Sequence, residues 1–163
     1  MDILQALEKS WPAQLIANSA NGFPMLEIAH LTGLTLVFGG MVLVDLRLLG
    51  FRREISAILL ERYILPFVWA GFALAAFSGA WLFVFEARTL AGDGPFLIKM
   101  ALIAFAGLNA LFMHRVARRD RAIWDVGAIP PVAVRASAAI SIAIWFSVLA
   151  CGRLIAYYYP IVY

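Results

Sequence analysis

The chain has 163 residues, 64% of them hydrophobic and only 14% charged, with a mean hydropathy of +0.89. Soluble domains are roughly 45–50% apolar and about 25% charged, and a chain this short has too little interior to hide the surplus. A soluble globular enzyme and a disordered chain are both excluded, which leaves an integral membrane protein whose net charge of +3 is explained by where the charges sit.

Residues 1–22 differ from the rest. Ile3, Leu4 and Leu7 share one helical face while Asp2, Gln5 and Glu8 lie elsewhere, and Trp11-Pro12 interrupts the pattern before Leu15 and Ile16 resume it. The segment is too polar to span a bilayer and lacks the basic start of a signal peptide. It reads as an interfacial amphipathic helix on the membrane surface, or as a segment packed against a partner subunit.

Beyond it, no Asp, Glu, Lys or Arg occurs in 28–44, 63–85, 100–114 or 136–152. With their flanks these runs reach the roughly 20 residues that cross a ~30 Å hydrocarbon core, and lipid excludes open strand edges. The expected fold is all-α: a four-transmembrane-helix bundle over 23–163, with spans at about 24–50, 62–87, 95–117 and 132–158.

Arg47, Arg52, Arg53 and Arg62 fall between the first and second spans. Arg115, Arg118, Arg119, Arg121 and Arg135 fall between the third and fourth. Only Lys9, Arg88, Lys99 and Arg153 lie on the other side. The positive-inside rule puts both arginine-rich loops in the cytoplasm and both termini outside, in a bacterial cytoplasmic membrane. Trp11, Phe23 and Tyr157-Tyr158-Tyr159 suit an outer aromatic belt. The basic residues are therefore topology signals, and nucleic acid is not an expected partner.

Small residues recur at four-residue steps. Gly71, Ala75 and Gly79 line the second span, and Ala139, Ala143, Ser147 and Cys151 line the fourth. Such stripes let helices approach closely in lipid. They serve packing inside the bundle, or a homo-oligomeric or hetero-subunit interface. The lone Cys151 forms no internal disulfide and reads as a small buried hydrophobe.

Ionisable groups at membrane depth are costly and point to function. In the first span Glu27, His30 and Asp45 lie on one side together with Gly33, Gly40 and Met41, so this stripe must face the interior or a partner. Gly107 and His114 share a face of the third span. Glu27-x-x-His30 has the spacing of a di-iron carboxylate–histidine pair, but such a centre needs further glutamates and only Glu86 lies at similar depth. Glu27 and His30 remain the candidate metal ligands. His30 also suits an axial haem ligand, with Gly33 and Gly40 making room for the macrocycle and Met41 or His114 as further cofactor-binding candidates. On helical rise, His30 and His114 stand roughly 20 Å apart along the membrane normal. One iron shared between them in one chain is therefore not expected, whereas His30 with a methionine, or His30 from two protomers, is open. In a purely structural role His30 pairs with Glu27 or Glu86 and indirectly with Arg153, and His114 bonds to Asp45.

The stretch Glu27-Ile28-Ala29-His30-Leu31-Thr32-Gly33, through Gly39-Gly40 and on to Asp45-Leu46-Arg47-Leu48-Leu49-Gly50, resembles the opening helix of bacterial four-helix membrane families distantly similar to the CopD copper-resistance domain and to b-type membrane cytochromes. Asn109-Ala110-Leu111-Phe112-Met113-His114-Arg115 is weakly similar to a later helix of that group. The resemblance implies a four-helix bundle and a haem b or copper role for His30. Three functions follow as expectations. The first is a haem-binding or redox-associated membrane subunit using His30. The second is a copper-handling protein using Met25, His30, Met41, Met113 and His114. The third is a non-catalytic membrane anchor or subunit of a larger complex. With no nucleophile–base pair, phosphate loop or cysteine pair, no stand-alone catalysis is expected.

Overall fold

Apolar runs of this length satisfy their backbone away from water by coiling into helices, and the computed structural model, which describes residues 3–117 and 121–158, holds only helices among them. In chain order these are α1 (Ile3–Glu8), α2 (Trp11–Ala17), α3 (Gly22–Leu48), α4 (Ala57–Phe85), α5 (Ala87–Ala91), α6 (Gly94–Ala117), α7 (Arg121–Trp124) and α8 (Val132–Tyr158). Helices α3, α4, α6 and α8 are each long and apolar enough to cross a membrane. The protein is an all-α multi-pass membrane protein. Arg118, Arg119 and Tyr159, used above for orientation, lie outside the described residues.

Of the boundaries that differ from expectation, two have a local reason. Helix α3 stops at Leu48 rather than at 50, because Gly50 takes φ +104° and Arg52 φ +50°, a left-handed backbone no α-helix continues. Helix α4 starts at Ala57, five residues before the expected 62, because Ser56 caps it and its Oγ accepts from the Leu59 N–H at 3.1 Å. Glu61 thereby becomes a helical residue of the span itself.

Neighbours pair as α3 with α4 and as α6 with α8, and the α3–α8 contact joins the two pairs. The α3/α4 seam is built on glycine. A Cβ on Gly33 would stand 2.6 Å from the Gly71 carbonyl oxygen, and one on Gly71 would stand 2.6 Å from Leu36 Cβ. Gly40 faces Val68 and Ile64 in the same way. The Gly71/Ala75/Gly79 stripe thus packs inside the bundle. The stripe on α8 does not: Ala139, Ala143 and Ser147 face outward and only Cys151 is buried, the interior side of α8 being Ser137, Ala138, Ser141, Trp145 and Val148.

Helices α4 and α6 do not pack as neighbours, so a cleft runs between them, floored by α3 and α8. At the end that carries α1, α2 and α5, the stacked rings of Phe83 and Phe96 bridge it, with centroids 5.4 Å apart. At mid-depth the core of Val37, Val68, Trp145 and Val148 fills its base, with Ile64 and Leu102 packed against it. The N-terminal segment is two short helices, because Pro12 starts α2 where a missing N–H costs nothing. Ala13 and Ile16 are buried where α2 meets α3 and α4, and Trp11 meets Trp81 edge-on at 6.4 Å.

Candidate functional site

Polar groups gather in two places along the cleft, one at each end of the spans. At the end bearing α1 and α2, His30 of α3 lies half-buried against α4, its ring filling the space over Gly79. Its Nδ1–H donates to the Ala75 carbonyl at 2.9 Å, with Ser78 Oγ 3.3 Å from the same nitrogen. The Ser78 hydroxyl itself donates to the Leu74 carbonyl. The bond to Ala75 fixes the His30 tautomer and leaves Nε2 as the nitrogen able to accept. The Nδ1 bond thus goes to the α4 backbone rather than to Glu27 or Glu86, the partners expected from the sequence. The charged neighbour of His30 is Lys99 of α6, which is only 9% exposed and whose Nζ would stand 3.8 Å from a Cβ on Gly152. Nearer the surface, Glu8 accepts the Arg88 N–H at 2.9 Å. Burial lifts the Glu86 carboxyl above the ordinary range, and the negative charges of Glu27 and Glu8 add to the effect.

The second place is the arginine-rich end. A cavity of about 140 Å³ opens there between α4 and α6, and residues of all four spans line it. Asp45 of α3 forms its buried end. The residue is 3% exposed, and its Oδ2 finds no hydrogen-bond donor among the described residues. Leaving such an atom unpaired costs on the order of 1–3 kcal/mol, and more when it is charged. The Ser141 hydroxyl of α8 hydrogen-bonds the same carboxyl, and Glu61 of α4 is its acidic neighbour. Asn109 and Ser137 also line the cavity but satisfy each other: Asn109 Nδ2 donates to the Ser137 carbonyl at 3.0 Å, and Ser137 Oγ donates to Asn109 Oδ1 at 2.9 Å. Met41, Met113 and His114 complete the polar and soft part of the wall. His114 is exposed on one side, and no hydrogen bond joins it to Asp45, contrary to the pairing expected between them.

Two residues after Asp45, α3 carries a second buried charge. Arg47 is 3% exposed, and all of its bonds go to backbone. Its Nε donates to the Ile55 carbonyl, and its Nη2 donates to the carbonyls of Asp125 at 2.6 Å and Arg53 at 3.2 Å. One guanidinium therefore ties both arginine-rich loops to the end of α3. Asp125 returns the favour to α4, accepting from the Ile58 N–H at 2.8 Å and from Ser56 Oγ at 2.7 Å. Burial opposes the charge on Asp125, but these bonds and the nearby Arg47 outweigh it and hold the carboxyl below its ordinary range.

The candidates named from sequence are thus divided. Glu27, His30 and Gly33 belong to one end, and Asp45, Met41 and His114 to the other. Gly33 and Gly40 give their space to α4. The five copper candidates split as well: Met41, Met113 and His114 share the cavity, while His30 lies at the far end and Met25 is 61% exposed. No three His, Cys, Asp or Glu side chains converge as a metal group among the described residues. Sequence reasoning passed over Glu61, Asn109, Ser137 and Ser141. The Ser137/Ser141 step of four on α8 was the visible signal for the last two. The chain matches no family model, no curated protein and no solved structure.

Proposed function

We propose that the protein is a cation-binding protein of the bacterial cytoplasmic membrane, its site being the cavity at the arginine-rich end with Asp45 as the anionic anchor. The observation that carries this reading is the Asp45 Oδ2, buried at the closed end of a cavity with no donor from the described protein. A carboxylate held in low dielectric attracts a positive charge far more strongly than one in water. Such a group inside a span is a functional one by default. The thioethers of Met41 and Met113 and the imidazole of His114 border the same space, which keeps copper among the cations to be tried. The test is thermal unfolding of the full chain in detergent, with sodium, cuprous and organic cations titrated in turn. At least one should raise the midpoint in the wild type and leave Asp45→Asn unmoved. If every cation shifts both proteins equally, the site is not at Asp45.

A second reading keeps a redox role at the opposite end, favoured by the His30 Nδ1–H bond to Ala75, which leaves Nε2 available as an axial ligand. His114 lies at the other end of the cleft, so one protomer does not hold haem b between two histidines, and a shared site would take His30 from each of two protomers. When bound, such a group supplies one-electron transfer. A Soret band in the purified protein that His30→Ala abolishes and His114→Ala retains would establish this reading, and colourless protein would end it. Without either ligand, the chain is an anchor subunit.

A further inference from the structure

Resting on the cation-site reading above, the structure assigns the cavity a ligand class: an organic ammonium with an apolar body about the size of one aromatic ring. A bare metal ion needs several donors converging at one point, and among the described residues no three His, Cys, Asp or Glu side chains converge. Asn109 and Ser137 are committed to each other, which leaves Asp45 Oδ2 as the open acceptor at the buried end. The rest of the wall is mostly apolar, with Met41, Leu65, Ala106 and Met113 on three helices. A metal ion would leave that surface unfilled, whereas an ammonium directed at Asp45 places its hydrocarbon against it. A cavity near 150 Å³ accommodates a benzene ring, and this one is about 140 Å³. Methionine side chains suit such a ligand because they are flexible and polarizable and adapt to irregular apolar shapes.

Glu61, the charged side chain that neighbours Asp45 from α4, is also negative. Arg47, the buried cation nearest in sequence, is tied through Nε and Nη2 to three backbone carbonyls of the loops, and its Nη1 has no partner among the described residues. Access is lateral, through the gap that α4 and α6 leave between them. An amphiphilic cation concentrates in the lipid at that depth, which suits a site opening sideways.

The probe is phenethylammonium, with 2-phenylethanol as its uncharged counterpart, measured by equilibrium dialysis against the full chain in nanodiscs, with empty nanodiscs subtracted. Saturable binding is expected, with the alcohol at least about tenfold weaker, the factor one charge-assisted hydrogen bond supplies. Asp45→Asn should weaken phenethylammonium by a similar factor. Because Asp45→Asn also relieves a buried unpaired acid, Ala106→Phe is the second variant. It fills the cavity, leaves the carboxylate in place and should abolish saturable binding. Equal binding of amine and alcohol, or binding that survives both substitutions, overturns the inference. Asp45-dependent binding of copper or sodium without phenethylammonium overturns the ligand class alone and leaves the cation site standing. Asp45-independent behaviour of every cation overturns both.

Discussion

A single arginine does most to organise the arginine-rich end. Arg47 sits one residue before α3 ends, and its planar fork reaches three carbonyls in two separate loops. Removing it leaves those carbonyls and the loop crossing unsupported in a buried place. Arg47→Ala should lower stability by about 3 kcal/mol, read as a fall in the unfolding midpoint. Arg47→Lys should recover only part of this, since a point charge cannot copy the fork. Asp125 makes a second prediction, for pH. Its folded carboxyl lies below the ordinary range, so the unfolded chain binds the proton more readily. The stability it contributes is present above the unfolded value near ~3.9 and is lost as pH falls through the lower folded value. Asp125→Asn should cost about 1 kcal/mol at neutral pH, as the loss of a helix cap does, and should flatten the acid limb of the stability profile. Neither role was visible from residue type. In sequence Arg47 looked like one topology signal among nine.

At the scale of elements, glycine separates packed from free helix faces. Gly33 and Gly39 both lie in the middle of α3, but a methyl on Gly33 strikes the Gly71 carbonyl and the Ala75 backbone, while one on Gly39 meets nothing within 4 Å. Gly33→Ala should therefore destabilise by about 1–3 kcal/mol, because backbone cannot yield as a side chain does. Gly39→Ala should be neutral or stabilise by up to about 1 kcal/mol from helix propensity. Thermal unfolding of the two variants in one detergent reads both, and equal losses would mean that the α3/α4 seam is elsewhere. The same contrast explains why a stripe of small residues is ambiguous in sequence. On α4 it meets α3, whereas on α8 three of its four members face outward, where they remain available to another chain. The stripe carrying Glu27, His30 and Asp45 was a sound expectation for α3, since all three turn away from its most exposed side. What it did not reveal is that its glycines serve α4.

For the whole molecule, the prediction is orientation. Both arginine-rich loops meet at one end, since the Gly127 N–H donates to the Arg53 carbonyl at 2.8 Å and Arg47 joins both. A cysteine placed at Arg52, in a Cys151→Ala background, should resist impermeant labelling in intact spheroplasts, and one at Ser19 should accept it. Ready labelling at Arg52 would invert the protein. The number of spans, their positions to within a few residues and the collection of arginines at one end were all determined by sequence alone. Charge is excluded from hydrocarbon so strongly that it marks the ends of every helix without reference to a partner. The order of helix neighbours, the cleft between α4 and α6, and the meeting of Asp45, Glu61 and Ser141 at one cavity were decided only by tertiary structure. Lipid tails are as apolar as leucine, so a span that is hydrophobic all round carries little record of which face is inside. That choice is made by close contacts such as Gly33 on Gly71, between residues far apart in the chain.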